Sequence, residues 1–174
     1  MKKLLFAMIA VLTIGCMVLA GCGGSKDSGQ GAASGGGEAP SSDGFKFTYN
    51  GTTISMDEDM AIVCEALGEP KSYNETTSCA FDGLDKTYYY GSFYVGTYPN
   101  GEKDYVNMVW FADDTVATEE GIAKGDSADK LKEVYGEGEE TGASGIKYTK
   151  GNSTLTFILS GDTVSEITYE RIAD

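Results

Sequence analysis

From residue 44 onward the apolar side chains recur in two rhythms. In residues 54–70, Met60, Val63, Cys64 and Leu67 fall at i, i+3, i+4 and i+7, one stripe of a short helix. Gly68 follows the stripe and Pro70 bars its continuation, so the helix is predicted to stop there. A second stripe, Ala128, Leu131, Val134 and Tyr135, has Asp126 or Ser127 in position to cap it and Gly136 to end it. The segments 54–70 and 122–138 align at a constant offset of 68. In both, an isoleucine leads through acidic residues into a helix that ends at Gly-Glu.

Around these helices the rhythm shortens to two. Residues 45–49 and 52–54 flank Asn50-Gly51 and predict a leading hairpin. Further strands are predicted over 78–81, 87–98, 146–149 and 154–159, with turns at Pro99-Asn100-Gly101, Gly151-Asn152 and Ser160-Gly161-Asp162. Val106-x-x-Val109-x-Phe111 and Val164-x-x-Ile167-x-Tyr169 close the two halves with matching patterns. The expected fold is α+β, in two tandem units at 44–112 and 113–174. Each unit is expected to be a short helix packed on an antiparallel sheet of about three strands.

Ahead of the folded part lies a different kind of sequence. Lys2 and Lys3 precede an apolar run at 4–18, and Leu19-Ala20-Gly21-Cys22 follows it. About 15 apolar residues fall short of the roughly 20 that a spanning helix needs, and the small residues before a cysteine mark a cleavage point. This pattern resembles the lipobox of bacterial lipoproteins. The resemblance implies a signal peptide at 1–21, a lipidated Cys22 as the first mature residue, and a chain anchored to the bacterial cell membrane on its extracytoplasmic face. Residues 23–43, nearly free of large apolar side chains, read as a flexible Gly/Ser linker with an average span of about 25 Å.

Charge narrows the partners. The full chain carries a net charge of −14, and loss of Lys2 and Lys3 with the leader would leave 11 bases against 27 acids, a net of −16. Nucleic acid and anionic headgroups would be repelled by such a surface. Histidine is absent and Arg171 is the single arginine, which removes Ser-His-Asp and Cys-His nucleophiles and histidine-containing zinc sites. Nothing in the pattern calls for a metal or a cofactor, and no catalytic residues are singled out. Glycan cleavage by a pair of acids remains open as chemistry, without any pair being marked.

Two cysteines remain after Cys22. Cys64 lies on the first helical stripe, and Cys79 shares the predicted strand 78–81 with Phe81, so both are expected to point toward one helix–sheet interface. A disulfide between Cys64 and Cys79 would close about 15 residues and contribute about 3 kcal/mol; two free thiols buried as small hydrophobes are the alternative.

Residues 87–98 hold the strongest binding signal. With a strict period of two, Tyr89, Phe93 and Val95 face one way and Tyr88, Tyr90, Tyr94 and Tyr98 the other. Tyrosine combines a large ring, few rotatable bonds and a hydroxyl tip, as binding surfaces require. The expectation is that Tyr88, Tyr90, Tyr94 and Tyr98, with Tyr105 and Trp110 nearby, form a platform for a protein, peptide or glycan partner. The alternative is a set of cross-strand aromatic pairs that only stabilise the sheet.

The run Gly125-Asp-Ser-Ala-Asp-Lys-Leu-Lys-Glu-Val-Tyr-Gly136, its partner ending Leu67-Gly-Glu-Pro70, and the two closing strand patterns carry a further resemblance. They are similar to the helix-then-sheet unit of SmpA/BamE-type outer-membrane assembly lipoproteins and of β-lactamase inhibitor proteins. Ser78-Cys-Ala-Phe-Asp-Gly-Leu-Asp-Lys-Thr87 also resembles lipoproteins of Gram-positive gut bacteria. These resemblances imply a fold and a location. The functional expectation is a non-catalytic binding or scaffolding module of the cell envelope, with inhibition of an envelope or secreted enzyme as the alternative and acid-pair glycan hydrolysis behind it.

Overall fold

The computed structural model describes residues 43–142 and 144–173. The expected leader at 1–21, the expected lipidation at Cys22 and nearly all of the expected linker lie outside the described residues. The chain enters through a two-stranded hairpin, β1 (Lys46–Tyr49) and β2 (Thr52–Ser55), turning at Asn50-Gly51 as its sequence predicts. Two helices follow the predicted stripes, α1 (Met60–Leu67) and α2 (Ala128–Tyr135). The Asp59 carboxylate accepts from the Ala61 amide and the Ser127 hydroxyl from the Lys130 amide, so both helices start with a satisfied donor. Each stops at a glycine, where the N–H of Gly68 closes on the Cys64 carbonyl and that of Gly136 on the Lys132 carbonyl.

The other eight strands build one antiparallel sheet. Four come from between the helices: β3 (Ser72–Thr77), β4 (Leu84–Tyr89), β5 (Phe93–Asn100) and β6 (Lys103–Phe111). Four follow α2: β7 (Glu139–Thr141), β8 (Gly145–Lys150), β9 (Ser153–Ser160) and β10 (Thr163–Arg171). Their order is β3-β4-β5-β6-β10-β9-β8-β7, so β6 and β10 meet in the middle.

This overturns the expected α+β architecture of two helix-plus-sheet units. The described chain is mostly β, with ten strands in two antiparallel sheets and two short helices. The sheets expected to be separate are joined because Tyr169 pairs with Val109 and Thr168 with Trp110. Each closing strand would otherwise present unpaired N–H and C=O groups beside a buried apolar face, and pairing the two satisfies both ladders. The helices do not form a layer of their own on each half. Helix α1 packs between β2 and β6, and α2 is tied to the β9–β10 turn by the Ala128 amide donating to the Asp162 carbonyl at 2.8 Å.

Two strand expectations change as well. Residues 78–81 lie in the turn between β3 and β4 rather than in a strand, and the strand there is 72–77, Ser-Tyr-Asn-Glu-Thr-Thr, exposed at every position. The expected single strand 87–98 is a hairpin. It reverses at Gly91-Ser92, where the Tyr90 amide donates to the Phe93 carbonyl at 3.0 Å and Gly91 takes a φ of 104° that a side chain would resist.

One face of the large sheet carries the core. The β1–β2 hairpin lays Phe47 onto it, with ring centroids 4.8 Å from Phe93, 5.0 Å from Phe111 and 6.1 Å from Tyr169. Val95, Val109, Leu155, Phe157 and Ile167 complete the centre, with Ile54, Met60, Val63 and Leu131 supplied by the covering elements. Burying one such side chain is worth about 1.5–3 kcal/mol, so the hairpin is a structural lid rather than an appendage.

Candidate functional site

The predicted tyrosine row is divided between three places, by the Gly91-Ser92 reversal and, between Tyr94 and Tyr98, by an irregular register at Gly96/Thr97. Tyr90 lies in the core, its ring 5.4 Å from Phe93, and its hydroxyl reaches the Cys64 thiol at 3.8 Å. Tyr88 is half-buried on the same side, lining a cavity of about 230 Å³ with Cys64, Asp59 and Lys103, and burial pushes its phenol up to about 12. Tyr98 is buried at the far end of β5, where its hydroxyl donates to Asp57 Oδ1 at 2.8 Å. Tyr94 alone of the four stands on the face of the sheet away from the core.

Tyr98 belongs to a structural clasp. Asp57, in a left-handed conformation at φ 64°, also accepts from Arg171 Nε at 2.7 Å and Asn152 Nδ2 at 2.9 Å. The Arg171 guanidinium sits 4.4 Å from the Tyr98 ring centroid. Burial first, then its bond to Asp57, holds the Tyr98 phenol at about 12. The chain's single arginine therefore joins the ends of β5, β10 and the β2–α1 loop, and its charge is spent on folding.

The cysteines stand apart in character. Cys64 is half-buried on α1, Cys79 is exposed in the β3–β4 turn, and both are free thiols. With 78–81 outside any strand, the shared interface that a Cys64–Cys79 disulfide required is not formed.

The open face has a composition of its own. Register places Ser72, Tyr89, Tyr94, Trp110, Thr168, Thr156, Lys147 and Glu139 side by side, one residue from each of the eight strands. Tyr89 and Tyr94 stack with centroids 4.5 Å apart, and Tyr94 and Trp110 stack at 4.9 Å with ring planes within 8° of parallel. None of the three belongs to the core cluster, and all remain part-exposed. Beside them a second row runs Asn74, Thr87, Gly96, Met108, Glu170, Thr154 and Thr149. Gly96 leaves room there: a Cβ would lie 2.9 Å from Met108 Cγ and 3.2 Å from Trp110 Cζ3, so those side chains would have to shift to admit one.

Sequence reasoning named Trp110 as a neighbour but missed Tyr89. The signal was available, since Gly91-Ser92 read as a two-residue reversal pairs Tyr89 with Tyr94 and returns Tyr88 and Tyr90 to the core side.

A cavity of about 390 Å³ opens at the end of the aromatic row, lined by Trp110, Thr168, Glu166 and Lys124 among others. Another of about 380 Å³ lies between α2 and β7–β8, lined by Asp129, Glu137, Glu140 and Asp162 with Lys132. Among the described residues no group of three acidic, cysteine or histidine side chains is placed to hold a metal ion, and no helix is long and apolar enough to cross a membrane.

No family model matches the chain, and no curated protein matches it. A solved structure of an extracellular protein containing an SCP domain, from Bacillus anthracis strain Ames, aligns at a TM-score of 0.40 and 12% identity over 67% of this chain and 44% of that one. The chain thus spans less than half of that protein, a likeness too slight to carry fold or function across.

Proposed function

We propose that this chain is a lipid-anchored, extracytoplasmic binding module of a bacterial cell envelope, engaging its partner through the open face of the eight-stranded sheet. The observation that carries the reading is the stacked series Tyr89–Tyr94–Trp110, three large rings left part-exposed on the face opposite the core. Burying such rings in the protein's own core would be the ordinary use of them; holding them rigid and accessible suits recognition. The lipobox-like Leu19-Ala20-Gly21-Cys22 supports the anchor, and the Gly/Ser segment behind it supports a tether that lets the face search near the membrane. The absence of histidine from the chain and the structural use of Arg171 favour binding over catalysis.

The test is capture from detergent-solubilised envelopes, comparing wild type with a variant carrying Tyr89→Ser, Tyr94→Ser and Trp110→Ser, after far-UV and thermal checks of folding. A partner held by wild type and released by the folded variant supports the reading. Equal capture by both would sink it.

A further inference from the structure

The open face ends in a slot with its own chemistry. The Trp110 indole gives one face to Tyr94, and its cross-strand neighbour on the other side is Thr168, too small a side chain to cover the second face. Both Trp110 and Thr168, together with Tyr94, line the cavity of about 390 Å³, a volume within the range of small-ligand sites at roughly 300–1,000 Å³. Glu166, exposed on β10, offers a carboxylate to it; Thr168 offers a hydroxyl; Lys124, whose ammonium is anchored 3.2 Å from the Ala112 carbonyl, offers the remaining donors.

We infer that this slot is a subsite for an uncharged pyranose sugar, packed against the Trp110 indole and hydrogen-bonded by Glu166, Thr168 and Lys124. This rests on the reading of the open face as the binding surface and names the ligand class for it. An indole face is electronegative and attracts the electropositive C–H groups that one side of a pyranose ring presents. Sugar hydroxyls both donate and accept, and the slot supplies an acceptor, a donor and a group that does both. Charge selects against the alternatives. The chain carries −14 overall, yet this lining sets one ammonium against one carboxylate, so it offers no net attraction to either sign of ligand. A cationic side chain would meet Lys124, and an anionic sugar would meet Glu166 within an acidic molecule.

The chain's one tryptophan makes the test direct. The full-length protein in detergent is titrated with cellotetraose, mannotetraose, xylotetraose and tetra-N-acetylchitotetraose, and separately with oligolysine, while Trp110 emission is followed. The expected result is a saturable blue shift with at least one neutral tetrasaccharide, weakened about ten-fold in Glu166→Gln, a variant expected to melt at the wild-type temperature. Emission unchanged by all four sugars, or perturbed by oligolysine alone, overturns the inference. If the sugars fail while envelope capture is still lost in the Tyr89/Tyr94/Trp110 variant, the slot falls and the binding face stands; if capture is also indifferent to that variant, both fall.

Discussion

The two faces of the large sheet are made by the same strands and differ in every physical respect. On one, Val95, Val109, Leu155, Phe157, Ile167 and Tyr169 are nearly or wholly inaccessible beneath the β1–β2 hairpin and the two helices. On the other, the residues that alternate with them are Tyr94, Trp110, Thr156, Thr168 and Met108, all part-exposed. Of the six side chains named on the buried face, only Tyr169 has a polar end. The open face uses side chains that are large or branched but mostly tipped with a hydrogen-bonding group. A sheet that needed only to be soluble would carry charges throughout, whereas here Glu166 and Glu170 share the central strands' open face with stacked rings and hydroxyls.

The sharpest way to break that contrast is to remove one ring from each side. Phe47→Ala deletes the side chain that joins Phe93, Phe111 and Tyr169, and is expected to cost about 3–5 kcal/mol in chemical denaturation. Asp57→Ala should follow at about 3 kcal/mol, because it strands the Arg171 guanidinium and leaves Tyr98 and Asn152 without their acceptor. Tyr94→Ser, on the open face, loses two stacking partners and should cost only about 1 kcal/mol. If it cost as much as Phe47→Ala, the open face would be structural and the contrast would be false.

Tyr169 offers a change of the opposite sign. Its hydroxyl is buried and finds no hydrogen-bond partner among the described residues, so Tyr169→Phe should raise stability by about 1–2 kcal/mol. A loss of stability would mean that the hydroxyl is satisfied.

Alkaline titration separates the faces more gently. The phenols of Tyr88 and Tyr98 are raised to about 12, chiefly by burial. A raised folded-state value means stability that is full below the unfolded value near 10 and is lost as pH rises through the folded one. Denaturation midpoints should therefore fall between about pH 10 and 12, and this fall should shrink when Tyr98 is replaced by Phe. A pH profile unchanged by Tyr98→Phe would contradict the buried clasp.

Much of the local structure was legible in the sequence. The helical stripes ended at Gly68 and Gly136, and the Asn50-Gly51 hairpin announced itself, because those signals are local and chemical. The pairing of β6 with β10 was not legible, since each closing strand reads equally well as the edge of a small sheet or the centre of a large one. Strand β3 was missed for a different reason: an exposed edge strand has no apolar alternation to see. The candidate site suffered from a slip in phase at Gly91-Ser92, where a one-residue change of register moves every side chain to the other face, and from a second register shift at Gly96/Thr97 ahead of Tyr98. Tyr94 kept its place while Tyr88 and Tyr90 exchanged sides with Tyr89.

The central claim is that the open face meets the partner, and Trp110 reports on it alone. Protein labelled with 5-fluorotryptophan gives one fluorine resonance, read by NMR as solubilised envelope is added. The account predicts that this resonance shifts or broadens saturably as protein enters the bound fraction. A resonance that stays sharp and unmoved while the protein is demonstrably bound would place recognition elsewhere and contradict it.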